Sequence, residues 1–349
     1  MVSTVELLTS HNAPQLRHLY TGLAMLAAEG GLRFRQQVVR GGSGPLHAEG
    51  RCLLVVDGVR VGVDMRDDDQ IVATDDVDVW IKRSYPKTGA PANAVPYGLN
   101  YPVLRSGVDL RMVSRASLPE GGRFVSDLAR ALAVDRLLGR PACRRVHDLR
   151  PRPAVVPDAG PTVVLQTRPW PASPELPEEL RADRDAVTTL RASCIRALRK
   201  ELGPRFVGGF TPTAHARRNY ADCIVDTADA AGPMLLHRMG AVPIVVTTRG
   251  LVGSVTWTTG EAVALGRAVV AETLRAVIPG GFDEGTHYLA FDDVDGCVAR
   301  CVHLVEHPDE VAAVSAANTR YHDQHLRPDR QVRRVLDAAS DLARTCHTR

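Results

Sequence analysis

The sequence predicts an α/β protein of two domains, and three observations carry that expectation. The chain has 349 residues, enough for roughly two domains of ordinary size, each burying its own core. A proline-rich piece, PRPAVVPDAGP at 151–161, interrupts the pattern as a linker does. Beyond it, short and almost wholly apolar strands alternate with helices, the signature of a parallel sheet covered on both faces. The second half is therefore expected to be doubly wound.

The elements follow in order. STVELLTS gives a strand at Val5–Leu8, which ends in the polar turn Ser10, His11, Asn12 before an amphipathic helix from Pro14 to Ala28. CLLVVDGVRVGVDM, with its Asp57-Gly58 pair, predicts a hairpin, and QIVATDDVDVWIKRSY predicts further short strands. The stretch 86–119 is rich in Pro, Gly and Asn and reads as loop; a helix from about Arg123 to Leu138 and the basic segment RRVHDLRPRP follow. After the linker come a TVVLQ strand, a loop, a helix at 183–202, an FVGGF strand, helices at 213–222 and 226–239, and a VPIVVTT strand. TWTTGEAVALGRAVVAE, residues 256–272, then opens a small-residue helix at Glu261. That helix is closed at Gly266 by a left-handed cap, and an apolar strand begins at Ala268. GGFDEGTHYLAFDD supplies turns before a strand at HYLAF, and the helices 308–319 and 328–344 are amphipathic.

Composition narrows the function classes. The chain is 44% hydrophobic and 24% charged, and no apolar run approaches the ~18 residues of a membrane span. The N-terminus lacks the basic, apolar and small-residue zones of a secretory signal, so the expected location is the cytoplasm, with no integral membrane segment. A formal charge of +3 does not call for a nucleic-acid partner, and RRVHDLRPRP and RPDRQVRR read as solvated stretches. Seven scattered cysteines, an odd number, fit a reducing compartment rather than a disulfide framework. Cys297 and Cys301 precede His303 and His307, yet no second paired cluster completes a four-ligand set, so no metal site is expected. Of 43 basic residues only Lys82, Lys87 and Lys200 are lysines, which draws attention to IKRSY.

In doubly wound sheets, ligands bind outside the carboxyl ends of the strands. Three loops meet that description: Thr167–Trp170, Phe210–Thr213 and Arg249–Gly260. In the last, Gly250, Gly253 and Gly260 permit close backbone approach, while Ser254, Thr256, Thr258 and Thr259 place hydroxyls ahead of a helix N-terminus that favours an anion such as phosphate. Glu261 is either an acid compensating the helix dipole or an acceptor for sugar hydroxyls. In the first half, Lys82 and Arg83 follow an apolar strand and are preceded by Asp64, Asp67, Asp68 and Asp69. They either balance diphosphate or acceptor charge or simply solvate a strand end. His11 suits an acceptor-positioning or general-base role, or a satisfied turn position. Asn12, Tyr97 and Asn100 have acceptor-site character, and Asp283, Glu284 and His287 either contact sugar hydroxyls or form turns.

The order of VVLQTRPW, LGPRFVGGF, RGLVGSVTWTTGEAVALGRAVVAE, IPGGFDEGTHYLAFDDVDGCVARCVHLVEHPDE and NTRYHDQHLRPD resembles the glycosyltransferases of the GT-B fold. Within them it is most similar to the branch of CgeB-like and family 4 (group 1) enzymes; TSHNAPQL, VDVWIKRSY and VPYGLNYPV extend the likeness into the first half. The resemblance implies two Rossmann-like domains facing across a cleft: an acceptor domain at 1–155, a nucleotide-sugar domain at 161–326, and a helix at 327–349 returning to the first. It implies a diphosphate contact from Arg168, backbone N–H contacts to the phosphates at Gly253 and Ser254, further donor contacts at Val255 and Thr256, a base pocket at Gly209, Phe210 and Thr211, and a ribose contact at Glu261. Arg249 either represents the basic residue common near this loop, as a further donor contact, or that residue is absent here. Many retaining members carry a glutamate where this chain has Gly253, which leaves the stereochemical course open. The expected activity is transfer of a sugar from a nucleotide diphosphate sugar, as co-substrate, to a hydroxyl of a small-molecule or glycan acceptor. No metal or other cofactor is expected to take part, His11, Lys82 and Arg83 are the catalytic candidates, and a homodimer is admissible. The alternative is a non-catalytic nucleotide-sugar or glycan-binding module with a degenerate form of the same fold.

Overall fold

A computed structural model describes residues 3–9, 13–39, 46, 48–72, 74, 76–104, 149–160, 162–225 and 232–347. His11, Asn12, the expected helix at 123–138 and the first part of RRVHDLRPRP lie outside the described residues. The protein is mixed α/β and divides into two compact units. The first comprises Met1–Leu149, Ala276–Gly280 and Asp323–Arg349, and the second Arg150–Arg275 and Gly281–His322.

The first unit is built on β1 (Ser3–Thr9), β2 (Leu32–Val38), β3 (Arg51–Val56), β4 (Val59–Asp64), β5 (Val79–Lys82) and β6 (Ala94–Pro96), in the order β2-β1-β3-β4-β5-β6. β1 alternates as its sequence requires, with Val5, Leu7 and Thr9 turned inward. The Asp57-Gly58 pair has positive φ at both residues, 48° and 93°, which is the backbone a two-residue hairpin needs. That hairpin makes β3 antiparallel to β4, and β3 also runs antiparallel to β1, so this sheet is mixed, while β1–β2, β4–β5 and β5–β6 are parallel. Strand β2 has no counterpart in the sequence expectation: LRFRQQV carries too few apolar residues to stand out, and its pairing with β1 supplies what its pattern lacks.

Helix α1 (Arg17–Ala28) is buried along nearly its whole length because it lies under the sheet and also under the last helix of the chain, Pro328–His347. The latter contributes Val332, Val335, Leu336, Ala339 and Ala343 to the first core, at helical spacing. Gly22 makes the approach feasible, since a Cβ there would lie 2.2 Å from the Pro328 carbonyl oxygen.

The second unit places β7 (Val163–Thr167), β8 (Phe206–Phe210), β9 (Ile244–Thr247), β10 (Ala268–Glu272) and β11 (Leu289–Phe291) in one sheet, ordered β11-β10-β9-β7-β8. All neighbours are parallel. Its helices are α2 (Glu178–Leu202), α3 (Ala214–Asn219), α4 (Gly232–Ala241), α5 (Trp257–Ala264), α6 (Val294–Glu306) and α7 (Pro308–Tyr321); the final helix is α8. Side-chain caps set two starts: Thr213 accepts from the Ala216 amide, and Asp293 from the Gly296 amide at 2.7 Å. Cys297 and Cys301 are buried in the apolar core of this unit beside Cys194, whereas His303 faces outward and pairs with Glu310 at 2.9 Å. Asp283 and His287 form a turn, the Asp283 amide donating to His287 Nδ1. Among the described residues no helix is long and apolar enough to cross a membrane.

The end of α5 matches its sequence. Gly266 has φ +65°, its amide reaches the Val263 carbonyl, and the Arg267 amide reaches Ala262, a left-handed cap with two closing bonds. Its start does not. Thr256 is the N-cap and the helix begins at Trp257, so Glu261 stands in the second turn, not the first. Thr256 is extended (φ −73°, ψ 153°), and residues 257–260, read as loop from the sequence, form the first helical turn.

Candidate functional site at the carboxyl edge of the second sheet

Counted from β7, the winding of the second sheet reverses between β7 and β9: the chain goes from β7 outward to β8, then returns past β7 to β9, β10 and β11. At such a switch point the loops leaving two neighbouring strands part toward opposite faces and open a crevice. Here those loops follow Thr167 and Thr247.

The β7–β9 ladder pairs Val163 with Ile244 and Val164 with Val245. Further toward the carboxyl edge, the two loops are bridged by Arg191, which α2 carries on its buried stripe with Val187, Thr188, Cys194, Ile195 and Leu198. Its Nε donates to Thr248 Oγ1 at 2.8 Å, one terminal nitrogen to the Arg168 carbonyl at 2.9 Å, and the other to the Arg249 carbonyl at 3.0 Å. Burial pulls the Arg191 pKa down to about 10, against the opposing pull of Glu272, and the group stays protonated at neutral pH. Sequence reasoning missed this residue. The signal was present as a charge in the middle of an otherwise apolar helical face.

A second ionic tie holds the turn after β9. Arg249 bonds Asp183 at 2.5 Å and lies 3.3 Å from Glu272, and its own amide donates to Glu272 at 2.9 Å. The other Asp183 oxygen accepts from the Val252 amide at 2.8 Å. Val252 is a β-branched residue at φ 56°, ψ 29°, a conformation that costs about 1–3 kcal/mol, and Asp183 helps to hold it. Gly253 continues the left-handed path at φ +75°. Gly250 lies so close to Ser254 that a Cβ would meet its hydroxyl oxygen at 2.3 Å.

These contacts revise several expectations. The Arg249 guanidinium is already matched by two carboxylates. The Ser254 amide donates to the Leu251 carbonyl at 3.1 Å and its side chain is buried, as is Val255, so neither presents a donor to solvent there. Gly208 and Gly209 have φ of 134° and 143°, and Gly209 packs against the Cys223 carbonyl. Phe210 is fully buried, edge-on to Tyr220 at 5.4 Å; its ring belongs to the core. Thr211 is half-buried and bonds back to the Thr167 carbonyl through both its amide and its hydroxyl. Glu261 is fully buried.

What remains presented is compact. Arg168 is exposed at the end of β7, its guanidinium 3.9 Å from the Trp170 ring centroid. Thr256 does not cap α5 with its side chain; its hydroxyl turns back toward the Thr248 carbonyl (3.4 Å) and Thr259 Oγ1 (3.3 Å), and Thr259 bonds Thr247 at 3.1 Å. A helix leaves its first amides without intrahelical acceptors, so Trp257 and Thr258, both half-buried, offer N–H groups at the positive end of the dipole. Such an end accepts an anion.

In the first unit, Lys82 and Arg83 are not free to meet a ligand. Lys82 is completely buried, 3.3 Å from Asp64 and 3.2 Å from Asp68. Arg83 bonds Asp67 at 2.5 Å and donates to Asn100 Oδ1 at 2.6 Å. Asp64, Asp67 and Asp68 are their counter-charge. Asp64 also holds Arg51 at 2.7 Å and Arg66 at 3.3 Å; burial raises its pKa, but Lys82, the Arg66 amide and Arg51 outweigh that and keep it below the usual carboxylate value. Tyr97 is buried with its hydroxyl 2.9 Å from His18, and its carbonyl accepts from Gln331 and Arg334 of α8. Asn100 is buried between Arg83 and the Gln15 carbonyl. Both side chains are structural, because the loop of which they are part is folded into the core.

No family model and no curated protein matches the sequence. Among solved structures, the chain is similar to Anabaena HepE in complex with UDP, at 9% identity and a TM-score of 0.39, covering 75% of this chain and 72% of that one. It is also similar to a glycosyltransferase from Rickettsia africae ESF-5, at 10% identity and a TM-score of 0.40, covering 76% and 63%. A C-terminal domain of a group 1 family glycosyl transferase, LpcC of Francisella tularensis, shares 12% identity at a TM-score of 0.33, covering 51% of this chain and 95% of that domain. The functional assignment accordingly rests on the residues of this chain.

Proposed function

We propose that the chain is a GT-B-type glycosyltransferase that moves a sugar from a nucleotide diphosphate sugar to a hydroxyl acceptor. The observation that carries this reading is the amide-lined, side-chain-uncapped start of α5 beside the exposed Arg168, both at the switch point of a parallel sheet. It is supported by the sequence resemblance described above. As the bond from the sugar to the diphosphate breaks, charge grows on the departing phosphate, where fixed N–H dipoles and Arg168 stabilise it without reorganising. The acceptor oxygen forms the new bond and yields its proton, for which His11 is the proposed base. The mechanism as proposed draws on no metal or other cofactor.

The test begins with thermal shift and calorimetry against UDP, GDP and dTDP, UDP being the molecule present in the HepE structure. At least one diphosphate is expected to stabilise the protein, and Arg168→Ala to weaken that ligand about tenfold, the value of one charge-assisted hydrogen bond. Silence toward all three would remove the reading. The alternative, a binding module without turnover, draws support from Gly253 standing where a donor-sugar glutamate is common among the enzymes it resembles. Sugar release from the preferred donor, even by slow hydrolysis, excludes it.

Glu261 provides a separate prediction. With the side chain fully buried in the second turn of α5, Glu261→Gln is expected to change the melting temperature while leaving nucleotide affinity within about twofold. A tenfold loss of affinity at unchanged stability would restore the carboxylate as the ribose contact.

A further inference from the structure

We infer that Arg191 is a positioning residue of the diphosphate site, fixing the loops after β7 and β9 in one geometry so that Arg168 and the α5 amides meet the same anion. This rests on the function proposed above and adds to it a residue that does not itself touch the substrate. Each arm of the guanidinium ends on an element that presents a contact. One terminal nitrogen holds the carbonyl of Arg168, whose side chain is the exposed cation. The other holds the carbonyl of Arg249, at the head of the turn leading into α5. Nε holds the Thr248 hydroxyl, and the Thr248 carbonyl in turn accepts from Thr256, the N-cap of α5. No lysine can do this, because an ammonium radiates its donors from one point and cannot span acceptors set around a planar fork.

Stability alone gives no reason for a charge here. Buried ionic groups are often replaced by apolar ones at little cost in folding, and Arg191 is buried enough to lose proton affinity. What an apolar side chain cannot supply is a fixed distance between two strand ends whose ladder pairs are at Val163–Val164 and Ile244–Val245. Preorganised donors are effective only when held to a fraction of an ångström, so a clamp behind them is worth more to binding than to folding.

Two variants test this, Arg191→Lys and Thr248→Val, the latter removing one acceptor at nearly constant volume. Hydrogen exchange of the unliganded proteins is expected to quicken at 168–170 and 249–257 and to stay unchanged in α6 and α7. Calorimetry with UDP and with uridine is expected to show Arg191→Lys weakening UDP at least tenfold and Thr248→Val about threefold, with uridine changed less than twofold. Exchange unchanged in both loops overturns the inference. So does an equal loss of UDP and uridine, which marks a merely structural residue. If the unmodified protein binds neither ligand nor any other nucleoside diphosphate, the proposed function fails, and the exchange experiment still decides whether Arg191 clamps the loops.

Discussion

Asp64→Asn is expected to destabilise the first unit by about 3 kcal/mol or more, the usual result of removing one partner from a buried ionic set. Asp64 is fully buried and is approached by Arg51, Arg66 and Lys82, and Lys82 has no exposure of its own. The amide keeps the shape and removes the charge, which leaves Lys82 dependent on the partly exposed Asp68 and Arg51 without its carboxylate. The pH dependence has a definite sign. The folded-state pKa of Asp64 is depressed, so its contribution is present above the unfolded carboxylate value near ~4 and is lost as pH falls through the lower folded value. The gap between the unmodified protein and Asp64→Asn should therefore be full at pH 7 and narrow progressively in acid. Urea unfolding read by exchange of amides in β3, β4 and β5 measures it. A penalty that stays constant down to pH 3 would show that charge is not the cause.

Gly208→Ala is expected to lower the midpoint of the second unit by roughly 6–12 °C, corresponding to about 3 kcal/mol in a domain of this size. Two independent effects act at this position. The backbone sits at φ +134°, a region essentially closed to a residue with a Cβ. The added atom would also fall 2.2 Å from the carbonyl oxygen of Leu165, its register partner on β7. Relief requires β7 and β8 to separate, and β7 leads directly to Arg168. Reduced protection of amides across β7 and β8 is the accompanying observation, and a midpoint within 2 °C of the parent would contradict the steric argument.

Much of the secondary structure was legible because it depends on short-range pattern. The apolar runs TVVLQ, FVGGF, VPIVVTT and AVVAE became β7 to β10, the Asp57-Gly58 pair became the hairpin turn, and Gly266 closed α5, since period, turn conformation and caps involve residues a few positions apart. The carboxyl edge of the second sheet was legible for the same reason: parallel strands followed by helices have one edge at which loops lead into helix N-termini.

The chemistry of individual side chains was decided by tertiary structure. Whether Arg249, Lys82 or Arg83 is a free cation depends on Asp183, Glu272, Asp64, Asp67 and Asp68, partners whose approach no local pattern encodes. Of the four basic site candidates described, Lys82, Arg83, Arg168 and Arg249, Arg168 is the one exposed to solvent. The residue that organises the edge, Arg191, stood unremarked in a helix until the fold brought three acceptors around it. Sequence periodicity fixes which face of an element is buried, because hydration acts on each residue where it stands. Pairing of charges is settled only when long-range packing brings the partners within a few ångströms, because Coulomb energy and hydrogen bonding depend on that distance.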